Sequence, residues 1–276
     1  MISKTIFTNQ YLKGVGLFSK RYMCSSSNVI KTCKDFYAKE EGGKEGTHEY
    51  RVKFYNQHNE QISPWHSIPL VHSVVKGDGQ TTLYNFICEM PKSSTSKMEV
   101  NTKELFNPIK QDIKKGQLRY IKHGNIPYNY GCLPQTWECP TQNDKLTGLP
   151  GDNDPLDVVE VSSTPFKRGT ITAVKIIGAV PLIDEGETDW KLIAISNDNA
   201  LFSQISNLEQ LEKHLPGTCE KIKNWYQFYK TSEGKEPNKL ALNGRILDSK
   251  ESEQILQDNH LHWKHLISDN TKFILQ

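Results

Sequence analysis

Apolar and polar positions along the chain divide it into two regimes. From about His48 to Ile195, short runs rich in β-branched and aromatic residues alternate with turn residues: HEYRVKFYN, TLYNFICEM, KMEVN, DVVEVSS, ITAVKIIGAVPLI and DWKLIAI. These runs predict strands. From Ser203 the period lengthens. In SQISNLEQLEKHL, Ile205, Leu208, Leu211 and Leu215 recur at spacings of three and four, which predicts a helix. Thr218–Tyr229 and Ser249–Ile267 repeat that pattern. Glu40–Gly46 and Lys92–Lys97, rich in Gly, Ser and Lys, read as loops. There is no internal repeat. Strands followed by helices predict an α+β fold dominated by β, a curled sheet or barrel covered by later helices.

Composition narrows this picture. The chain has 276 residues, 36% hydrophobic and 24% charged, and no run approaches the ~18 apolar residues of a membrane span. A formal net charge of +2 gives no reason to expect nucleic acid as a partner. The charge is uneven. Residues 1–34 carry Lys4, Lys13, Lys20, Arg21, Lys31 and Lys34 and no carboxylate, so 28 of the 34 basic residues face all 32 acidic ones in the remainder. A basic, Ser-rich, acid-free start without an apolar core has the composition of a mitochondrial transit peptide. The plain alternative is a disordered basic tail. On this reading 1–34 is a transit peptide directing the protein to the mitochondrial matrix, and 35–276 is a single domain. The six cysteines form no CxxC pair, so free thiols are expected in place of a zinc site.

The chemistry is concentrated in two acidic stretches. GDNDPLD puts Asp152, Asp154 and Asp157 within six positions, and crowded carboxylates repel unless a cation offsets them. Pro155 pushes Asp154 towards an extended conformation, which predicts that Asp152 and Asp154 face the same side. An EF-hand is excluded, because Leu156, Asp157 and Ser163 stand at the fifth, sixth and twelfth positions of such a loop. A solvated acidic turn remains the plain alternative until DEGETDWK is added. There Asp184, Glu185, Glu187 and Asp189 precede an apolar strand, with Asp189 and Lys191 on one face and Trp190 on the other. Two acidic loops at strand ends can converge, and convergent hard oxygens favour Mg²⁺ or Mn²⁺. KMEV gives Lys97 and Glu99 a shared face opposite Met98, and KKGQLRY, YNYG and FYK add Arg119, Tyr128, Tyr130, Tyr229 and Lys230. Carboxylates for metals beside Arg, Lys and Tyr for phosphate oxygens describe metal-dependent phosphoryl transfer. No GxxxxGK[ST] loop is present, so a P-loop ATPase is excluded.

SPWHSIPL, NPIKQDIKKGQLRY, YNYGCLPQTWE, GDNDPLDVVEV, LIDEGETDWKLIAI and WYQFYK follow one another between Ser63 and Lys235. In this order they resemble the family I soluble inorganic pyrophosphatases, especially the eukaryotic ones, and with the basic N-terminus the mitochondrial form. The resemblance implies an OB-like five-stranded β-barrel with flanking helices and additional edge strands, and a homodimer. It implies Mg²⁺ as cofactor and pyrophosphate as substrate. By motif position, Asp152, Asp157 and Asp189 would ligate two tight Mg²⁺ ions, with Asp157 bridging. Asp184, Glu99 and Glu89 would help hold ions that arrive with substrate. Asp154 would be the base for the attacking water. Lys97, Arg119, Tyr130, Lys191, Tyr229 and Lys230 would hold the phosphates, Arg119 and Tyr130 nearest the chemistry. The chain departs from its cytosolic fungal relatives in a shorter segment between Arg119 and Tyr130, and in Lys92 and Ser93 where those have Arg-Trp. Two other readings use the same residues: an OB-fold module binding single-stranded nucleic acid, which needs a basic groove with stacking aromatics, and a structural metal-binding protein, which does not need Arg119, Lys191 and Lys230.

Overall fold

The computed structural model describes residues 35–76 and 80–274; the expected transit peptide lies outside them. In chain order the strands begin with β1 (Phe36–Glu41), β2 (Arg51–Asn56), β3 (Gln61–Ile62), β4 (Val71–Lys76), β5 (Gln80–Met90), β6 (Met98–Val100) and β7 (Ile109–Gln111). A small hairpin follows, β8 (Ile113–Lys114) and β9 (Gln117–Leu118), and then β10 (Asn129–Cys132). Beyond the GDNDPLD loop come β11 (Asp157–Glu160), β12 (Ile171–Asp184) and β13 (Glu187–Ser196). The chain ends with helices α1 (Leu208–His214) and α2 (Thr218–Phe228), strand β14 (Lys239–Leu240) and the long helix α3 (Ser249–Ile274).

Five strands close on one another. β5 pairs with β10, β10 with β11, β11 in parallel with β13, β13 with β12, and β12 back onto β5 from Ile171↔Ile87 to Val174↔Tyr84. This is the OB-like barrel that the motifs implied, and closure removes its exposed edges. β4 and β14 extend it at the sides, and β1, β2, β3, β6 and β7 form a second sheet against it. Strand alternation sorts the apolar side chains. Val158, Leu192 and Ala194 pack in one cluster with Ile255 and Leu256 of α3, while Val159, Ile193 and Ile195 join Leu211 and Ile222 of the other two helices. With helices on both sides, β12 and β13 are buried on both faces, hence the unbroken run ITAVKIIGAVPLI. Gly131 lets β10 cross β5, because a Cβ there would stand 1.9 Å from the Ile87 carbonyl oxygen.

Some elements differ from the pattern. β1 occupies Phe36–Glu41, so the loop read over Glu40–Gly46 begins two residues later, and β4, β7 and β10 are strands outside the runs picked out from the pattern. The helix expected from Ser203 starts at Leu208, because the Asn207 side chain accepts the Gln210 N–H and caps it there. The short segment between Arg119 and Tyr130 is stitched to Ser93–Thr95 by Ile121 N–H to Thr95 O (2.7 Å), Ser93 N–H to Ile126 O (2.8 Å) and Ile126 N–H to Ser94 O (3.1 Å). Among the described residues no helix is long and apolar enough to cross a membrane, and Cys88, Cys132, Cys139 and Cys219 are free thiols.

Candidate active site

The parallel pairing of β11 with β13 sets Asp157 directly beside Lys191, and the pleat puts Asp189 on the same face. The buried Lys191 ammonium bridges the Asp157 and Asp189 carboxylates and lies 5.5 Å from the ring centres of both Tyr130 and Tyr226. The Tyr130 hydroxyl donates to Asp157 Oδ2 at 2.5 Å. Trp190 points the other way, as its strand position requires, into the core, where its indole N–H donates to Asp144.

GDNDPLD is a turn and not the extended segment anticipated. Asn153 has φ +74°, and the Asp152 carboxylate accepts the Asp154 N–H at 3.0 Å. Asp152 and Asp154 therefore meet through an Asx-type turn, which strand alternation does not describe. Backbone bonds tie this turn to the chain around Glu138: Gly151 N–H to Cys139 O (3.0 Å), Asn153 N–H to Glu138 O (2.9 Å) and Glu138 N–H to Asp154 O (2.9 Å). Thr188 N–H donates to Pro150 O at 2.7 Å, which brings the turn against the start of β13. One carboxylate oxygen from each of Glu138, Asp152 and Asp189 lies within 4.8 Å of the others.

The opposite wall is mixed in charge. Lys97 pairs with Glu99 on β6 and, at 3.3 Å, with Asp112, while Met98 is buried between them as expected. Arg119 donates to Asp112 at 2.6 Å and stands 3.7 Å from Glu233. Lys230 pairs with Asp184 at 2.5 Å, and the Tyr229 hydroxyl donates to the same carboxylate at 3.2 Å. Glu89, buried in β5, accepts the Val100 N–H at 2.6 Å. Sequence patterning missed Glu138, Asp112, Glu233 and Tyr226. Asp112 sits in the quoted NPIKQDIKKGQLRY and Glu138 in YNYGCLPQTWE, but each is a lone acid with no acidic neighbour to mark it.

The electrostatics follow from crowding. Burial, and then the charges of neighbouring carboxylates, hold the Glu89, Glu138 and Asp152 carboxyls well above the usual range. The Asp154 side chain meets solvent, yet the protein packed around it and the charges of Glu99 and Asp157 push its pKa up to about 7. Asp189 is raised to about 6 by burial, with Lys191 pulling against the shift. Asp112 is the contrast: burial pushes it up, but Lys97 and Arg119 together outweigh burial and hold it low. A carboxyl whose pKa rises on folding favours the native state fully only at low pH, so without a cation the contribution of Asp154 and Asp189 is lost as pH rises from about 4 through about 6 to 7. Carboxylates outnumber the cations that reach them, and the donors are all hard oxygens. This set fits Mg²⁺ or Mn²⁺ and does not suit a thiophilic metal.

The residues given site roles by the motifs converge on one basin, Asp152, Asp154, Asp157, Asp184, Asp189, Glu89 and Glu99 with Lys97, Arg119, Tyr130, Lys191, Tyr229 and Lys230, whereas Tyr128 does not join them and packs in the core with Val159, Ile193 and Leu211. The inorganic pyrophosphatase family model matches residues 86–264, which span this basin. Soluble inorganic pyrophosphatase 6, chloroplastic, of Arabidopsis thaliana is 41% identical over 277 residues, covering 96% of this chain and 89% of its own. The Homo sapiens inorganic pyrophosphatase is 41% identical over 228 residues, 81% of this chain and 76% of its own. Among solved structures, the inorganic pyrophosphatase of T brucei brucei superposes with a TM-score of 0.82 at 36% identity, over 92% of this chain and 75% of that one. The N-terminally truncated vacuolar soluble pyrophosphatase of Trypanosoma cruzi, solved in complex with PPi, gives 0.80 at 37% identity, over 88% and 96%. With its barrel, its acidic turn and these relatives in agreement, the chain belongs to the inorganic pyrophosphatase family and is an enzyme of that class.

Proposed function

We propose that the protein hydrolyses pyrophosphate to two orthophosphates with Mg²⁺ ions held by Asp152, Asp157 and Asp189, and with further ions, arriving with substrate, held by Asp184, Glu99 and Glu89. The observation that carries this reading is a ring of carboxylates interleaved with Lys97, Arg119, Lys191 and Lys230 in one basin. When bound, the divalent ions offset charge and bring the pKa of water from ~15.7 towards about 7. Asp154 takes the proton of the attacking water on a carboxylate oxygen. The water oxygen bonds to phosphorus, the bridging P–O bond breaks, and its electron pair leaves with the second phosphate. Arg119 and Tyr130 hold the oxygens that gain charge, and Lys97, Lys191, Tyr229 and Lys230 hold the rest. The cations now paired with carboxylates can exchange those partners for phosphate oxygens once cations occupy the acids. A nucleic-acid module is disfavoured by the net acidic body and this acidic basin, and a purely structural metal site does not account for the four cations.

The assay is phosphate release from pyrophosphate. It is expected to depend on Mg²⁺ and to be inhibited by Ca²⁺ even with Mg²⁺ present, because Ca²⁺ holds oxygens at ~2.3–2.6 Å in loose shells against ~2.1 Å in an octahedron. Equal turnover with Ca²⁺ alone would refute the assignment.

The reading extends to a homodimer working in the mitochondrial matrix, where removal of pyrophosphate draws nucleotide-consuming syntheses forward. The basic, acid-free composition of residues 1–34 supports the compartment, and the homodimer rests on the likeness to the family. The relatives above include a chloroplast protein, so similarity does not choose the compartment. A chain starting near Asp35 is expected to keep full activity, to run as a dimer, and to fail to enter isolated mitochondria. Uptake of the shortened chain would count against the targeting role.

A further inference from the structure

We propose that Glu138 contributes a carboxylate oxygen to the divalent-cation site it shares with Asp152 and Asp189. The inference rests on the functional reading above and adds a residue to it. Glu138 is only 3% exposed. Its backbone is held from both sides by the acidic turn, through Asn153 N–H and Asp154 O, so its side chain has a fixed origin. Its Oε1 accepts the Trp190 N–H at 3.0 Å, and its Oε2 is buried without a hydrogen-bond partner. One of its oxygens lies within 4.8 Å of oxygens from Asp152 and Asp189. Among the described residues no Lys or Arg pairs with it: Lys191 is taken by Asp157 and Asp189, and Lys97 and Arg119 by Asp112. A buried carboxylate beside two others stays ionised only with a cation at hand, and among the described residues no Lys or Arg pairs with Glu138 itself.

The rival role is purely structural. Accepting the Trp190 N–H needs an oxygen but no charge, so a glutamine would serve equally well. Glu138 also lines a cavity of about 70 Å³ against α3, together with Asp144, Trp190 and His262, whose Nδ1 is likewise buried without a partner. Water in that cavity could satisfy Oε2 with no part played by a metal.

Glu138→Gln separates these roles, since it keeps the shape and the acceptor for Trp190 but removes the charge. Calorimetric titration of Mg²⁺ without substrate is expected to show affinity weakened about 10- to 100-fold, the range for residues that support a metal site. The gain in melting temperature on adding Mg²⁺ is expected to be smaller than the parent's. Glu138→Asp keeps the charge and draws it back by one methylene, so its loss of affinity should be smaller. Mg²⁺ affinities within about twofold of the parent's for both variants would overturn the inference while leaving the enzyme reading intact. A parent chain that binds no Mg²⁺ and releases no phosphate would overturn both.

Discussion

Asp154→Asn is expected to give a folded protein that binds Mg²⁺ with modestly changed affinity and turns over at least about 10²-fold more slowly, the scale of a lost general base. The fold should survive because Asp154 holds its place through main-chain groups: its N–H donates to Asp152 and its carbonyl accepts the Glu138 N–H. Its side chain is exposed in the basin, so the amide meets no packing conflict. What disappears is a carboxylate whose pKa lies at about 7 before cations bind, well matched to proton transfer near neutrality. Only the ionised form can accept a proton, so the native rate should climb as pH rises through that pKa, which bound cations shift downward. The variant should lack this limb and recover partly at higher pH, where hydroxide forms without the carboxylate. Asp157→Asn is the comparison: its carboxylate takes both Lys191 and the Tyr130 hydroxyl, and its replacement should weaken metal binding outright. Metal titrations and pH–rate profiles of the two variants decide the matter. Near-native turnover of Asp154→Asn at neutral pH, or metal loss as complete as in Asp157→Asn, would refute the division of labour.

Gly151→Ala is expected to damage both stability and catalysis, though residue 151 carries no chemistry. An added Cβ would stand 2.4 Å from the Glu138 carbonyl carbon, 2.6 Å from its oxygen and 2.8 Å from the Cys139 nitrogen, all backbone atoms that cannot turn aside. The two strands of chain that carry Glu138 and Asp152 must therefore move apart. Overpacking of this kind costs about 1–3 kcal/mol. For a domain of this size that lowers the melting temperature by roughly 2–12 °C. A shift of ~1 Å in a positioned group costs about 10²-fold in rate, so turnover should fall even where the protein remains folded. Thermal melts followed by circular dichroism, with turnover measured well below the midpoint, separate the two effects. A variant with native melting temperature and native turnover would show that the approach of these segments is not needed.

The sequence by itself marked most of the residues that the fold brings together, and it determined the class of fold. Strand runs such as ITAVKIIGAVPLI and DWKLIAI are long and apolar enough to declare themselves, and a period of two put Lys97 with Glu99 and Asp189 with Lys191, as the structure has them. The motif order then named every charged residue of the basin except those that stand alone. Tertiary structure decided the remainder. β10 is a barrel strand although NYGC has little strand propensity, because β5 and β11 occupy its two edges and Gly131 permits the crossing. Asn153 in the left-handed region converts the extended segment that Pro155 suggested into a turn, since the chain must fold back onto Glu138 and Cys139. Glu138 and Asp112 stayed unmarked because an isolated acid in a sequence looks the same whether it lies in solvent or against Asp152 and Asp189, or between Lys97 and Arg119. Patterning is a local signal, and the field at a carboxylate is set by groups distant along the chain that only the closed barrel brings within reach.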